Sequence, residues 1–133
     1  MASTGIPLPG RRILVVDDEP YILKILSFKL RLAGMVPFEA TCGEEALRLA
    51  RETLPDLVLL DVSLSPGLTG FDVCRILKEN PRTNPLPVVM LTARNHPAER
   101  DQGLRLGARL YLTKPFSTKV LLEEIERALS VPG

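Results

Sequence analysis

The sequence predicts an α/β protein in which a parallel sheet is covered by helices on both faces. Five short apolar runs alternate with five segments of helical pattern along the 133 residues. The first, third and fourth runs are apolar throughout, as is typical of parallel strands buried on both faces. Strict alternation of strand and helix favours parallel strands joined by crossover helices. The length suits one domain with one hydrophobic core.

The strands are predicted where the apolar runs occur. They cover residues 13–16, 36–40, 57–60, 88–91 and 110–112. In a sheet built this way, a ligand binds beyond the carboxyl ends of the strands, where the strand order reverses. The residues that follow each strand are therefore the first place to look for chemistry.

Start and stop signals bound the helices between the strands. Pro20 suits the first position of a helix, Gly34 suits the residue after a helix end, and Ser117 suits an N-cap. The predicted helices cover residues 20–33, 43–54, 71–79, 98–106 and the segment from residue 118 onward. Residues 1–10 carry glycine and proline and are predicted to be a flexible tail, with the domain at 11–131.

Composition excludes several classes of protein. Apolar residues make up 45% and charged residues 25%, and the net charge is +1, so no basic field for nucleic acid or membranes is expected. No apolar run approaches the roughly 20 residues of a membrane span. The first ten residues do not resemble a signal peptide. Cys42 and Cys74 are too few for a disulfide framework and indicate reduced thiols, which favours the cytoplasm.

Charged and polar side chains follow four of the strands. Asp17 and Asp18 follow the first, Asp61 the third and Thr92 the fourth, and Lys114 lies just past the fifth. Three carboxylates at one sheet edge would repel one another, and Mg²⁺ would remove that repulsion. A carboxylate beside Mg²⁺ can take a phosphoryl group, with a lysine and a hydroxyl stabilising the transferred charge. Any one of these acids alone is better explained as a strand-ending or helix-capping residue, whereas the whole set indicates a site.

Four segments then identify a resemblance that covers about residues 11–131. ILVVDDEP at 13–20, LVLLD at 57–61, PVVMLTAR at 87–94 and YLTKPF at 111–116 resemble the receiver domains of response regulators in bacterial two-component systems. The resemblance implies a flavodoxin-like (βα)₅ doubly wound parallel sheet with strand order 2-1-3-4-5. It also implies a phosphoacceptor that assists its own phosphorylation and dephosphorylation, not an enzyme.

The resemblance assigns roles around the acceptor. Asp61 would accept a phosphoryl group from a phosphohistidine of a sensor histidine kinase or a phosphotransfer domain. Asp18 and Asp61 would ligate Mg²⁺ directly, and the backbone carbonyl of Ser63 would complete the protein's share of the ligands. Asp17 would either hold a metal-bound water or ligate the ion itself. Lys114 would pair with the phosphoryl oxygens, and the peptide bond between it and the following proline would be cis.

Signalling is implied to pass through Thr92 and Tyr111. The Thr92 hydroxyl would move to the phosphoryl group and Tyr111 would turn inward, changing the surface near the fourth helix, fifth strand and fifth helix. Without the surrounding motif, Tyr111 would be read as an ordinary strand aromatic. The output would be a downstream protein target or a fused output domain.

The sequence departs from the family pattern in the loop after the acceptor and beyond it. Asp61 and Gly70 are nine positions apart where the family usually has eight, so one extra residue is predicted after Ser63. Arg94, two positions after Thr92, is predicted either to cover the phosphoryl group or to be a solvated side chain.

Two further features bear on partners. Arg109 and Leu110 replace two acids that many relatives use in a phosphorylation-dependent dimer, which argues against that dimer. The apolar arc of the first helix is wider than one buried face requires. It is therefore either a docking or dimer surface or a face covered by a neighbouring helix. His96 is read as a solvated loop residue, not a metal ligand.

Two other functions compete with the phosphoacceptor. A pseudo-receiver, acting as a phosphorylation-independent interaction module, would be expected to lack an acid or the lysine, and all are present. A phosphohydrolase that forms an aspartyl phosphate usually has a second acid two residues after its nucleophile, where this chain has Ser63.

Overall fold

The computed structural model describes residues 7–93, 96–114 and 116–130. Strands and helices alternate through the described chain as predicted. The strands are β1 Arg12–Val16, β2 Val36–Ala40, β3 Leu57–Asp61, β4 Val88–Thr92 and β5 Leu110–Thr113. The helices are α1 Pro20–Leu32, α2 Gly43–Thr53, α3 Gly70–Glu79, α4 Pro97–Arg105 and α5 Thr118–Ser130.

All five strands are parallel and lie in the order β2-β1-β3-β4-β5. This confirms the predicted flavodoxin-like (βα)₅ fold and its strand order. β1 lies between β2 and β3, so the chain turns to opposite sides of the sheet at the carboxyl end of β1. That position is the switch point at which this class of sheet binds ligands.

The sheet separates two apolar layers because neighbouring strand residues point to opposite faces. On one face, Leu14 and Val16 of β1 pack with α2 and α3; on the other, Ile13 and Val15 pack with α1 and α5. All of these strand side chains are fully buried. In contrast, Gly103 is the only residue of α4 that is buried.

The helix signals in the sequence have clear structural counterparts. Gly34, at φ +85°, follows the end of α1; its N–H donates to the Arg31 carbonyl and that of Met35 donates to the Leu30 carbonyl. These two bonds close a Schellman motif. The Ser117 hydroxyl accepts a hydrogen bond from the Val120 N–H at 3.1 Å, which confirms the predicted N-cap of α5.

Two helix starts differ from the predicted ones by one residue. α3 begins at Gly70, where Thr69 and Asp72 form a capping box whose first member the sequence analysis had not singled out. α4 begins at Pro97, which follows the exposed His96. Proline is well suited to the first turn because its missing N–H needs no partner there.

The segment before β1 contacts the domain. Leu8 packs partly against the α1–α5 layer, and the Gly10 N–H donates to the Gly34 carbonyl at 2.7 Å. The boundary at residue 10 stays a prediction. Among the described residues, no helix is both long and apolar enough to cross a membrane.

The outer stripe of α1 is exposed, and none of the described helices covers it. Tyr21, Phe28 and Leu32 are 75%, 60% and 72% exposed, whereas Leu23, Leu26 and Leu30 on the other stripe are buried. The wide apolar arc therefore consists of one core face and one surface face.

Candidate functional site

The three predicted acids meet at the carboxyl edge of the sheet. Val16 of β1 pairs with Leu60 of β3, which places Asp17 beside Asp61 across the two strands. One carboxylate oxygen from each of Asp17, Asp18 and Asp61 lies within 4.8 Å of the others. Asp17 is fully buried and Asp61 is 6% exposed, so this negative charge is largely withdrawn from water.

Among the residues that the structure describes, Lys114 is the cation that faces these acids. Its Nζ lies 3.3 Å from Asp17 Oδ2 and 3.7 Å from Asp61 Oδ1. The Lys114 N–H donates to the Thr92 carbonyl at 2.6 Å, so the backbone just past β5 is joined to the end of β4. The lysine side chain therefore extends from the carboxyl ends of β4 and β5 toward the aspartates that follow β1 and end β3.

Backbone hydrogen bonds hold the acidic segment in place. The Glu19 N–H donates to Asp17 Oδ1 at 2.9 Å, and the Asp17 N–H donates to the Ala40 carbonyl at 3.2 Å. One oxygen of the Asp17 carboxylate thus fixes the turn into α1, and the other faces Lys114. These contacts fix the orientation of the Asp17 carboxylate in the absence of a ligand.

Burial raises the pKa of Asp61 from its usual 3.8 to about 6. Lys114 lowers this pKa, Asp17 raises it, a backbone hydrogen bond from Ser63 lowers it, and Asp18 raises it. One lysine therefore does not offset the combined effect of desolvation and two neighbouring acids. Within the described part of the site, positive charge falls short of negative charge, and a bound cation would supply the difference.

The donor set fits a hard divalent cation. Asp17, Asp18 and Asp61 offer only oxygen atoms, and few protein ligands suit Mg²⁺, which keeps several waters. The resemblance to receiver domains implies Mg²⁺ at such an acidic cluster. The role of the Ser63 carbonyl stays a prediction; Ser63 itself lies in an exposed turn after β3.

The start of α3 packs closely against the backbone at the end of β3. The Val62 N–H donates to the Leu91 carbonyl at 2.9 Å, and the Gly70 N–H donates to the Val62 carbonyl at 3.0 Å. A Cβ at Gly70 would contact the Asp61 carbonyl oxygen and lie 2.7 Å from Val62 Cα. Only glycine lets the start of α3 approach the acceptor strand this closely.

Thr92 and Tyr111 are joined through a residue that the sequence analysis did not identify. Thr92 is fully buried at the end of β4, and its hydroxyl donates to Glu99 Oε1 at 3.1 Å. The Tyr111 hydroxyl on β5 donates to the same Glu99 oxygen. An acid in the first turn of a helix is usually explained by the helix dipole alone, so its position gave no functional signal.

The predicted site residues divide into three groups. Asp17, Asp18, Asp61 and Lys114 are brought together, and Thr92 lies one residue beyond Leu91, the register partner of Asp61. The Tyr111 hydroxyl contacts Glu99 and not the three aspartates. The prediction for Arg94 and the predicted cis bond after Lys114 lie outside the described residues.

A doubly wound sheet with an acid cluster and a lysine at its switch point defines a class of α/β proteins, and comparison with known proteins identifies the family. The chain matches the response regulator receiver domain family over residues 13–126. It therefore belongs to this family of two-component signalling proteins.

Individual relatives agree with this assignment. The chain is 44% identical over 120 residues to the phosphate regulon transcriptional regulatory protein PhoB of Klebsiella pneumoniae, covering 90% of this chain and 52% of that protein. It thus spans about half the length of this curated relative.

Solved structures also resemble this fold. A putative response regulator from Chloroflexus aurantiacus superposes with a TM-score of 0.87 at 35% identity, covering 92% of this chain and 99% of that one. The receiver domain of the sensor histidine kinase PA1611 from Pseudomonas aeruginosa, solved with magnesium in its active-site cleft, has a TM-score of 0.84 at 29% identity, with coverage of 92% and 99%.

Proposed function

We propose that this chain is a phosphoacceptor switch that takes a phosphoryl group on Asp61 from a phosphohistidine of a sensor histidine kinase or phosphotransfer domain. The observation that carries the proposal is the position of the Lys114 ammonium, within 3.7 Å of the Asp61 carboxylate and 3.3 Å of Asp17. Receiver domains are phosphoacceptor signalling proteins, not conventional enzymes, and the lysine stands where the charge of a transferred group would need it.

The transfer is an exchange of one bond to phosphorus for another. An Asp61 carboxylate oxygen attacks the phosphorus as the P–N bond of the phosphohistidine breaks. The imidazole leaves with the electron pair and takes a proton from solvent. Lys114 stabilises the charge on the phosphoryl oxygens, and Asp17 holds Lys114 in position through their 3.3 Å contact.

Mg²⁺ is the cofactor that we assign to the site. Asp17, Asp18, Asp61 and the Ser63 carbonyl would hold it, and the magnesium in the PA1611 receiver domain supports this assignment. When bound, the ion neutralises charge on the acids and on the transferred group. The acyl phosphate is then hydrolysed: water attacks phosphorus, the bond from phosphorus to the Asp61 oxygen breaks, inorganic phosphate leaves, and the Asp61 carboxylate is regenerated. Arg94 is proposed to flank the phosphoryl group and tune the rate of this step.

The output is proposed to follow from Thr92 and Tyr111. Movement of the Thr92 hydroxyl toward the phosphoryl group would change the surface formed by α4, β5 and α5, which a downstream protein or a fused output domain would read. Direct binding of nucleic acid or membrane by this domain is not expected, and we place it in the cytoplasm. PhoB of Klebsiella pneumoniae is named as a transcriptional regulator, which illustrates one output of a longer relative.

The exposed stripe of α1 is the proposed docking surface for the phosphodonor. Tyr21 and Phe28 lie on it, and a groove lined by Ile22, Ile25 and Phe116 leads from the helix to Lys114. A donor helix placed here would bring its phosphohistidine toward Asp61. The groove is mostly apolar, as expected for helix-on-helix docking.

The decisive experiment is intact-mass spectrometry after incubation with acetyl phosphate. The parent and Asp61→Asn are each incubated with Mg²⁺ and with EDTA, and Asp101→Asn serves as a control because Asp101 is an exposed aspartate on α4. We expect one added phosphoryl group on the parent and on Asp101→Asn, only with Mg²⁺, and none on Asp61→Asn. A folded, Mg²⁺-binding parent that gains no mass from acetyl phosphate or other donors would instead favour the pseudo-receiver.

A further inference from the structure

The Glu99 carboxylate ties two strands of the sheet to α4. Its Oε1 accepts the Thr92 hydroxyl of β4 at 3.1 Å and the Tyr111 hydroxyl of β5. These are the residues to which the proposed function assigns the conformational change. One oxygen atom on a third element therefore contacts both.

The Thr92 hydroxyl can serve only one acceptor at a time. A hydroxyl has a single proton to donate, and a carboxylate has none, so Thr92 must be the donor toward Glu99. The oxygens of a phosphoryl group on Asp61 are also acceptors and would need the same proton. Glu99 and the phosphoryl group are therefore competitors for one hydrogen atom.

Few apolar contacts fix α4 otherwise. Gly103 is its only buried residue, and Leu104 is 39% exposed. A Cβ at Gly103 would lie 3.1 Å from Met90 Sδ and 3.5 Å from Tyr111 Cδ2, so the helix packs closely on the tyrosine ring through a residue that has no side chain. The two hydrogen bonds of Glu99 therefore add to the limited apolar attachment of α4 to β4 and β5.

We propose that Glu99 is a positioning residue that holds Thr92 and Tyr111 in the unphosphorylated arrangement and opposes phosphorylation of Asp61 by competing for the Thr92 hydroxyl proton. This inference rests on the proposed function of Asp61. Its consequence is that phosphorylation of Asp61 releases the Thr92 hydroxyl from Glu99, which frees α4 to move relative to β4. Tyr111 is then hydrogen-bonded to a carboxylate whose position is no longer fixed by Thr92. Glu99 then carries the event at Asp61 to the outer surface of the protein.

The test compares phosphorylation rates of Glu99 variants with those of a matched control. Glu99→Ala removes the acceptor and Glu99→Gln replaces it with a weaker, uncharged one, while Asp101→Asn removes a negative charge from an exposed position of the same helix. Rate constants with acetyl phosphate and Mg²⁺ are followed by intact mass. We expect about a threefold to tenfold faster reaction for Glu99→Ala, a smaller gain for Glu99→Gln, and the parent rate for Asp101→Asn.

A second readout reports the contact itself. The chain has two tyrosines and no tryptophan, so in a Tyr21→Phe background the tyrosine emission comes from Tyr111 alone. A phenol that donates to a carboxylate is quenched by excited-state proton transfer. Emission of the resting protein should therefore rise in Glu99→Ala and stay unchanged in Asp101→Asn. In a Tyr111→Phe background, the rate gain from Glu99→Ala should shrink, because part of the contact network is already lost.

The outcomes separate this inference from the function on which it rests. If the parent is phosphorylated on Asp61 but Glu99→Ala and Glu99→Gln react no faster than Asp101→Asn, Glu99 does not oppose phosphorylation and only this inference fails. If the parent takes no phosphoryl group at all, the proposed function fails and the inference falls with it. Faster variants with raised Tyr111 emission support the competition.

Discussion

At the scale of single residues, Asp61 combines burial with reactivity. Its carboxylate is withdrawn from water beside two other acids, and this raises its pKa to about 6 even though Lys114 acts in the opposite direction. The ionised Asp61 carboxylate, which is the form that a phosphoacceptor needs, therefore lowers the stability of the folded state. A functional site that is less stable than it could be is a common result of such placement.

This cost gives a prediction for the metal-free protein. Because the folded state holds the Asp61 proton more tightly than the unfolded state, the contribution of Asp61 to the free energy of unfolding should fall as the pH rises from about 4 to about 6 and stay lower above that range. Asp61→Asn removes the charge, so in EDTA it should raise the free energy of unfolding by about 1–3 kcal/mol near neutral pH and by less below about pH 4.

Urea denaturation at the two pH values measures this difference. Asp101→Asn, at an exposed position, should show little change at either pH. A gain for Asp61→Asn that is equal at both pH values would mean that packing, not charge, accounts for it.

At the scale of elements, the passage from β3 to α3 depends on Gly70. A side chain there would meet backbone atoms of Asp61 and Val62, which cannot move aside as a flexible side chain can. Thr69 and Asp72 then cap α3 with two reciprocal hydrogen bonds, at 3.1 and 2.9 Å. The loop after the acceptor is thus fixed at its far end by backbone contact and a capping box.

Gly70→Ala should therefore lower the free energy of unfolding by about 2–4 kcal/mol, because the added methyl group forces two backbone segments apart. Gly10→Ala is the comparison, since Gly10 has φ +86° and, apart from its chain neighbours, no described atom lies within 4 Å of an added Cβ. It should cost only the conformational strain, about 1–2 kcal/mol. Equal losses in chemical denaturation would show that close approach is not what Gly70 provides.

The helices also differ in how firmly they are held. α3 buries Val73, Cys74 and Leu77 and carries a capping box, whereas α4 buries Gly103 alone. Local opening is easiest where few apolar contacts must be broken. The element that the proposed function requires to move is the one with the least core contact.

Amide hydrogen exchange should record this difference. We expect the amides in the middle of α4 to exchange at least about tenfold faster than those in the middle of α3 under native conditions. Mass spectrometry of peptides that span each helix provides the measurement. Similar protection in the two helices would contradict the view that α4 is loosely attached.

At the scale of the whole molecule, Arg109 acts within its own chain. Its Nη1 donates to the Ala128 carbonyl at 2.7 Å, near the end of α5. A cation at the C-terminus of a helix is favoured by the unpaired carbonyls and the helix dipole. The position at which the family resemblance implies an acid for an intersubunit ion pair is thus used here to attach the residue before β5 to α5.

We therefore expect the phosphorylated protein to keep the mass of one 14.7 kDa chain at micromolar concentration. Multi-angle light scattering before and after treatment with acetyl phosphate and Mg²⁺ gives the answer. A doubled mass would contradict the prediction, and its loss in Lys119→Glu would place the dimer contact on α5. A doubled mass that Phe28→Glu abolishes would place the dimer contact on the exposed stripe of α1.

The sequence by itself determined the order of strands and helices and the residues at the carboxyl edge. Period and alternation are local properties, and parallel strands bring their ends to one edge whatever fills the core. Asp17, Asp61 and Lys114 could be selected for this reason before any distance was known.

Only the tertiary structure decided the quantities that depend on neighbours distant in sequence. Glu99 contacts Thr92 and Tyr111 because of where α4 packs along β4 and β5, and residue spacing in the sequence does not predict that position. The raised pKa of Asp61 and the exposure of the α1 stripe likewise depend on burial, which is a sum over all surrounding elements. Local sequence patterns determine which residues lie at the site, and tertiary packing determines their contacts, their exposure and their pKa values.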